Sequence, residues 1–309
     1  MQQRIKVDVI IPTYKPDRSL RDLVRMLLAQ SYPVDHILIV NTGEEHWDND
    51  LLPALKRVEV FHITKREFDH AATRNMGVGF SDADYLLFMT QDAVPANEFL
   101  VERLLESFSD PAVKAAYGRQ LPKPGCFYVE GCVRNYNYPS NGWVRTIRDL
   151  PEHGVKTYFC SNVCAMYERY TFDRMGGFKA PAIFNEDMVY AARIEYLGYG
   201  VAYVADAAVY HSHNYTNTQQ FRRNFDNGVS QAMHPEIFGA VPSAGEGREM
   251  VRYVTKYLWR KGHAYLIPGF YWQCGCRLAG FRLGKAYRHL PDSLVRFCSL
   301  SPDFFRRKR

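Results

Sequence analysis

The chain has 309 residues, 47% of them hydrophobic, which suits one large globular domain or one domain with an appendage. Its first residues, MQQRIKVDVIIP, lack the apolar middle and small-residue cleavage site of a secretory signal, so we expect a cytoplasmic protein. Seven cysteines are an odd number and form no paired CxxC clips, which argues against a disulfide framework or a zinc site and predicts reduced, mostly buried thiols.

The net charge of +6 is distributed unevenly. From Arg252 to Arg309 there are 13 Lys or Arg and two acidic residues, whereas the rest of the chain is acidic overall. Aromatic residues alternate with these cations, as in helices that lie in a membrane interface. The run AYLIPGFYW is shorter than the about 20 apolar residues that span a bilayer. We expect the tail to lie on a membrane surface rather than to bind nucleic acid, and dimerisation through its aromatic helices stays open.

Apolar strands alternate with helices in the first part of the chain. VDVIIP, HILIVNTG and VEVFHIT predict three strands, with a helix over RSLRDLVRMLLAQ after the first. The helix HAATRNMGVGFSD, the strand DYLLFMTQD, the helix NEFLVERLLESF and the strand VKAAYGRQ follow. This alternation predicts an α/β fold with a mostly parallel sheet and helices on both faces. No GxGxxG follows the first strand, which argues against a nicotinamide-dependent oxidoreductase.

The pattern becomes irregular from Leu121 to Lys156, a stretch that we interpret as a lid and acceptor-side region. Regular structure then returns. MYERYTFDRMG predicts a helical turn, NEDMVYAARIEYLGYG a helix that glycine ends, and VAYVADAAVYHSH a strand that runs into two histidines.

Asp92 is the first candidate functional residue, because it directly follows the apolar strand YLLFM. Ligands of open α/β sheets bind beyond the carboxyl ends of the strands, and a carboxylate there can hold a divalent cation against a ligand's phosphates. A simple turn with Pro95 is the competing interpretation.

Two further groups of residues carry acid–base or metal-binding chemistry. Glu186 and Asp187 open a predicted helix, where a carboxylate can cap the helix or accept a proton from an attacking hydroxyl. His211 and His213 would share a face of a strand, which suits metal binding, phosphate contact or core hydrogen bonding. A site requires that these groups and Asp92 converge on one crevice.

Six segments between residues 5 and 215 occur in a characteristic order: VDVIIPTYKP, TRNMG, MTQDAVP, FCSNVCAMYERYTFDRMGGF, FNEDMVYAARIEYLGYG and AVYHSH. This order resembles the family 2 glycosyltransferases of the GT-A fold. Within that family, EFDHAATRN, LFMTQDAVP and VRNYNYP are most similar to bacterial rhamnosyltransferases. The resemblance implies a Rossmann-like mixed sheet flanked by helices, to which this chain adds a C-terminal basic helical region.

The resemblance also implies roles for individual residues. Asp187 matches the catalytic base, and Asp92, His211 and His213, with His211 favoured of the two histidines, match the site of a Mg²⁺ or Mn²⁺ ion. The donor, a nucleotide sugar, is expected to contact Pro12, Thr13, Tyr14, Asn41, Asp69, Arg74, Gln91 and Asp92. The acceptor is expected to contact Arg134, Asn137, Tyr138, Asn162 and Glu186.

The sequence departs from the family pattern at two places. Thr90, Gln91 and Asp92 stand where relatives carry two carboxylates in a DxD motif, so a metal would have one carboxylate fewer. Asn41 and Thr42 replace the acidic residues that commonly follow the second strand, which puts the base preference in question.

The function that the resemblance implies is an inverting transfer of L-rhamnose from dTDP-β-L-rhamnose to a hydroxyl of a lipid-linked glycan. Such an enzyme would serve cell-surface polysaccharide synthesis and lie on the cytoplasmic face of the membrane. Residues 1–120 would form the nucleotide-sugar-binding half, 121–245 the acceptor-binding half and 246–309 a membrane-associating or dimerising tail. The alternatives are another donor, such as a UDP-hexose, and a noncatalytic glycan- or lipid-binding protein on the same scaffold.

Overall fold

The computed structural model describes residues 4–52, 55–239, 241 and 244–306. These residues separate into two compact units. Unit 1 comprises the described residues up to Leu121, together with Tyr138–Pro181 and Glu186–His211. Unit 2 comprises Pro122–Asn137, Ala182–Asn185 and the described residues from Ser212 onwards.

The strands of the described residues all belong to unit 1 and form one nine-stranded mixed sheet. They are β1 Val7–Tyr14, β2 His36–Thr42, β3 Val58–Ile63, β4 Tyr85–Met89, β5 Val94–Pro95, β6 Val113–Leu121, β7 Trp143–Arg145, β8 Cys164–Glu168 and β9 Gly200–Tyr210. The strand order is β3-β2-β1-β4-β8-β6-β9-β5, and β7 pairs with β9.

The prediction of a mostly parallel sheet is correct only for the first half of the sheet. Strands β3, β2, β1 and β4 are parallel, as their alternation with helices predicts. Strand β8, however, runs antiparallel to both β4 and β6, and only β6 and β9 restore a parallel pair. MYERYTFDRMG is therefore not one helical turn, because Met166, Tyr167 and Glu168 end a central strand before a helix begins at Arg169.

The helices are α1 Arg18–Leu28, α2 His70–Val78, α3 Leu100–Glu106, α4 Tyr128–Asn137, α5 Leu150–His153, α6 Arg169–Arg174, α7 Glu186–Tyr196, α8 Asn217–Met233, α9 Pro235–Phe238, α10 Ala244–Arg260, α11 Ile267–Lys285 and α12 Asp292–Cys298. Helix α4 corrects the interpretation of the stretch after Leu121 as irregular. It is supported by the Glu130–Arg134 ion pair of 2.7 Å one turn apart. No helix of the described residues combines the length and apolar character that a bilayer crossing requires.

The sheet of unit 1 is packed on both faces, which fixes the carboxyl ends of its strands. Val9 and Ile11 of β1 share one apolar cluster with Leu23 of α1 and Leu104 of α3. Leu87 of β4 belongs to the same cluster. The next residue of the strand, Phe88, instead packs in an aromatic group with Tyr167, Phe172, Phe178 and Tyr190. All seven cysteines are free and four of them are buried, Cys160 and Cys164 included.

A glycine seam joins α8 and α11 within unit 2. A Cβ atom on Gly280 would lie 2.1 Å from the carbonyl oxygen of Phe221, and one on Gly284 would lie 2.1 Å from that of Phe225. On the opposite helix, a Cβ on Gly228 would lie 2.3 Å from the Phe281 carbonyl oxygen. The two backbones therefore approach to a distance that only glycine permits.

Glu195 of α7 is a buried carboxyl group outside the candidate site. Both of its oxygens lack a hydrogen-bond partner among the described residues, and burial, followed by the charge of Asp149, raises its pKa to about 9. A raised folded-state pKa contributes stability at low pH that is lost as the pH rises from the unfolded value towards 9.

Replacing Glu195 with glutamine should therefore stabilise the protein at neutral and higher pH. Folding at pH 7 requires this carboxyl to take up a proton, so the gain should reach about 2–3 kcal/mol and vanish near pH 4.5. Thermal unfolding at several pH values measures it, with the exposed Glu59→Gln as the control. If Glu195→Gln were no more stable than the wild type at pH 8, the Glu195 carboxyl would ionise in the folded protein without lowering its stability.

Candidate active site

The carboxyl ends of β1, β2 and β4 lie at one edge of the sheet, since these strands are parallel neighbours. The loop after β4 is fixed to the end of β1 by the side chain of Gln91. Its Oε1 accepts from the Tyr14 N–H at 2.8 Å, and its Nε2 donates to the Tyr14 carbonyl at 3.1 Å. The structure thus brings together two of the residues that were predicted to bind the donor.

Asn41 lies at the end of β2 and is fully buried. Its Oδ1 accepts a hydrogen bond of 2.9 Å from the Thr13 hydroxyl, and its Nδ2 donates to the Gly43 carbonyl at 3.1 Å and lies 3.1 Å from His62 Nδ1. The amide is therefore held in one orientation by the fold. An aspartate at this position would have no side-chain N–H to donate to the Gly43 carbonyl and to His62 Nδ1. This difference explains why an amide can stand here.

Tyr14 presents an exposed ring beside Asn41's strand. Its side chain is 42% exposed and contacts His46 edge to face, with ring centroids 5.5 Å apart. A half-exposed aromatic pair is suited to stack against a nucleotide base. Pro12 precedes it within β1 and is half-buried. Neither His46 nor His62 was among the residues predicted from the sequence.

Asp69 and Arg74 belong to helix α2. Asp69 caps the helix, because its Oδ1 accepts from the backbone N–H groups of Ala71 and Ala72 at 3.0 and 2.9 Å. Arg74 is buried, and its Nη1 donates to the His70 carbonyl at 2.9 Å. The Nε of Arg74 is buried and has no hydrogen-bond partner among the described residues.

The two carboxylates at the start of α7, Glu186 and Asp187, have different hydrogen-bond partners. Glu186 is buried, with its Oε1 3.2 Å from Arg74 Nη1 and 3.0 Å from the Nδ2 of Asn162. Asp187 is half-buried and accepts from the backbone N–H groups of Asn162 and Met188 at 2.9 and 2.8 Å. Asn162 thus holds both carboxylates and is itself fixed by the Tyr167 hydroxyl, which donates to its Oδ1 at 2.8 Å.

The two carboxylates differ in their proton affinity. Burial acts to raise the pKa of Glu186, but the charge of Arg74, together with His70 and the Asn162 amide, lowers it overall. Burial and then the negative charge of Glu186 raise the pKa of Asp187 to about 7, against the opposing N–H groups and Arg74. A carboxylate whose pKa lies near neutral pH can both accept and release a proton under ordinary conditions.

Asp92 follows β4 and His211 follows β9, and Asp92 Oδ1 lies 3.6 Å from His211 Nε2. The other ring nitrogen, Nδ1, lies 2.9 Å from Oε1 of Gln120. Gln120 is oriented by its own Nε2, which donates to the Tyr138 hydroxyl at 2.6 Å and the Ser161 hydroxyl at 3.0 Å. Because the Nε2 of Gln120 donates to these two hydroxyls, its Oε1 is the atom that accepts from His211 Nδ1, and Nε2 is the ring nitrogen that faces Asp92.

The sequence suggested that His211 and His213 share a face of a strand. They do not, because β9 ends at Tyr210. His211 belongs to unit 1 and His213 to unit 2. Among the residues predicted to bind the acceptor, Tyr138 is buried and bonded to Gln120, so it positions His211 indirectly. Arg134 and Asn137 lie on α4 in unit 2, where Arg134 forms the ion pair with Glu130.

A mixed sheet flanked by helices, with a carboxylate after β4, an acidic pair at the start of α7 and a histidine after β9, is the arrangement of a GT-A glycosyltransferase fold. A mannosyltransferase from Pyrobaculum calidifontis, solved in complex with GDP-Man and Mn²⁺, has this fold, with a TM-score of 0.56 and 16% identity. The comparison covers 99% of this chain and 86% of the mannosyltransferase.

The family follows from the sequence comparisons. The sequence model described as Glycosyl transferase family 2 matches residues 8–176. The chain is 35% identical over 305 residues to the O-antigen chain rhamnosyltransferase RfbN of Salmonella typhimurium, covering 97% of this chain and 96% of the relative. It is 33% identical over 302 residues to the O-antigen chain rhamnosyltransferase WbaN of Salmonella anatum, covering 96% and 95%. The chain belongs to glycosyl transferase family 2 and is a glycosyltransferase, as the order of its motifs predicted.

Proposed function

We propose that this glycosyltransferase moves L-rhamnose from dTDP-β-L-rhamnose to a hydroxyl of a growing O-antigen-type glycan, with inversion at the anomeric carbon. The observation that carries the proposal is the similarity, over nearly the whole length of each chain, to two O-antigen chain rhamnosyltransferases. The pKa of Glu186 is lowered, so it stays ionised, whereas the pKa of Asp187 is raised to about 7. One carboxylate that titrates near neutral pH supports a single displacement, because that reaction needs one base.

The residues present fit a divalent cation. A carboxylate oxygen and an imidazole nitrogen 3.6 Å apart are two groups that can both ligate a cation placed between them. Asp92 and His211 would hold Mg²⁺ or Mn²⁺, and His213 stays a predicted further ligand. When bound, such an ion neutralises charge on a leaving diphosphate.

In the proposed reaction the chain's own groups have separate roles. Asp187 accepts the proton of the acceptor hydroxyl, whose oxygen attacks the anomeric carbon as the bond to the diphosphate oxygen breaks. The positive charge of Arg74 stabilises the negative charge that develops on the diphosphate. Glu186 keeps Arg74 and Asn162 in place, and Asn162 in turn holds Asp187.

Gln120 is a positioning residue in this scheme, so Gln120→Leu should weaken cation binding. Without the Oε1 acceptor, the His211 proton is free to move to Nε2, which removes the lone pair that faces Asp92. Loss of such a partner typically costs roughly 10–100-fold in metal affinity. Calorimetric titration with Mn²⁺ measures the change. Gln30→Leu is the matched control, since Gln30 is also buried and bonds to Met26, Asn97 and Val101 instead. Equal affinity in both variants would contradict the role of Gln120.

A panel of nucleotide sugars, titrated with and without Mn²⁺ while the heat is recorded, tests the donor. We expect heat from dTDP-rhamnose, and we expect the protein to hydrolyse this donor slowly in the absence of acceptor. Preference for a UDP-hexose would overturn the rhamnose assignment while keeping the enzyme class. Binding of glycan without any turnover of a nucleotide sugar would favour the noncatalytic alternative.

The acceptor and its location complete the proposal. A glycan that grows on a lipid is presented at the cytoplasmic face of the membrane, and the basic tail would keep the enzyme there. This part is supported by the composition of the tail, in which residues 250–291 contain eight Lys or Arg and no acidic residue. Dimerisation through the same helices is the competing role.

A further inference from the structure

A groove between α10 and α11 combines cations with aromatic rings. Its volume is about 420 Å³, and three cations, Arg252, Lys256 and Arg260, line it together with Trp259 and Tyr271. Thr255 connects the two helices across it, because its hydroxyl lies 3.3 Å from the hydroxyl of Tyr271. The whole groove belongs to unit 2.

The helix pattern separates the groove from the core of unit 2. Val254 and Leu258 of α10 are fully buried in a cluster with Val133 and Phe270. Arg252, Lys256 and Arg260 are spaced four residues apart, so they form a continuous row on another face of the helix, and all three are exposed. Since neither α11 nor α10 after Glu249 carries an acidic residue, the positive potential of this row is not neutralised from either wall.

Three large apolar side chains of α10 and α11 are solvent-exposed, and one of them, Trp259, lines the groove. Trp259 is 72% exposed and Trp272 is 66% exposed, and Leu278 lies further along α11 with half of its surface exposed. Large exposed tryptophans beside lysine and arginine are typical of surfaces that enter the headgroup region of a bilayer. A nucleic-acid-binding surface also combines cations with aromatic rings, but it would not need the exposed aliphatic Leu278 further along α11.

We propose that this groove seats the phosphate of an anionic phospholipid headgroup at a membrane surface. Arg252, Lys256 and Arg260 neutralise the phosphate, while Trp259 and Trp272 enter the interface on either side. The inference rests on the proposed function for the membrane-facing tail, and it names the residues and the ligand chemistry of that contact. No residue of the groove takes part in sugar transfer.

Binding of the full chain to vesicles tests the proposal. Vesicles of phosphatidylcholine alone are compared with a roughly three-to-one mixture of phosphatidylcholine and phosphatidylglycerol. The groove variant is Arg252→Gln, Lys256→Gln, Arg260→Gln, and the control variant removes the same charge from unit 1 as Arg18→Gln, Lys56→Gln, Arg66→Gln, all exposed positions. We expect the groove variant to lose on the order of 100-fold in partition onto the anionic vesicles, whereas the control binds like the wild type.

Further variants and a second assay separate the outcomes. Trp259→Ala should also reduce partition, and Arg252→Lys with Arg260→Lys should retain it, because charge rather than fold is at issue. Hydrolysis of the donor sugar in solution should be unchanged in the groove variant, so failure of this inference is distinguishable from failure of the proposed transferase activity. Equal vesicle partition by the groove and control variants would overturn the proposal. The proposal would also be overturned if the groove variant lost binding to single-stranded RNA but kept its partition onto the anionic vesicles.

Discussion

Asp187→Asn should lower the rate of sugar transfer by roughly 10²- to 10⁴-fold, the usual effect of removing a general base. Asparagine has nearly the same shape and keeps one of the two backbone N–H bonds that Asp187 accepts, but its amide cannot accept the proton of the acceptor hydroxyl. Donor binding should stay close to that of the wild type, because Arg74, Glu186 and Asp92 are unchanged. Release of nucleoside diphosphate measures turnover, and calorimetric titration measures donor affinity.

The matched control is Asp206→Asn, an exposed carboxylate of β9 in the same unit. It should be fully active. A normal rate for Asp187→Asn would assign the base to another residue, and a parallel loss of donor binding would indicate that Asp187 organises the donor site rather than the proton transfer.

Gly280→Ala and Gly284→Ala should be the most destabilising small substitutions in unit 2. The added methyl group would lie 2.1 Å from a carbonyl oxygen of α8, a contact that flexible side chains cannot relieve, so α8 and α11 must separate. Overpacking of this kind costs about 1–3 kcal/mol and more where the backbone has to move. Thermal unfolding followed by circular dichroism should show a lower midpoint for each variant.

Gly275→Ala gives a control of opposite sign on the same helix. Nothing lies within 4 Å of its Cβ position, and alanine is a better helix former than glycine, so this variant should gain about 0.5–1 kcal/mol. Equal effects at positions 275 and 284 would contradict the close approach of the two helices.

The sequence predicted the parallel half of the sheet well, because VDVIIP, HILIVNT and YLLFM are apolar runs bounded by turns. Strand β8 was missed for a physical reason. Met166 and Tyr167 are both fully buried, so the central strand shows no alternation of polar and apolar residues, and MYERYTF equally fits the start of a helix. Helix α4 was missed because only Cys132 and Val133 of it are buried and its flanks are rich in proline and glycine.

The candidate site was predicted where a residue type and an element end coincide. Asp92 after a strand and the acidic pair at a helix start are visible in the sequence, but the choice between Glu186 and Asp187 depends on Arg74, far away in the chain. Gln120 gives no sequence signal, since it is a single amide at the end of a strand, 91 residues from His211. His62 was hidden likewise, because its contact with Asn41 exists only after β2 and β3 pair.

The pH dependence of kcat/KM for the acceptor tests most directly that Asp187 is the base. Burial and the charge of Glu186 raise its pKa to about 7, so the protonated, inactive form should dominate below that pH. We expect a rate that falls about tenfold per pH unit below 7 and is level above it. A rate that is constant across pH 5.5–8.5 with saturating donor would contradict it, because no carboxylate with this pKa would then be removing the proton.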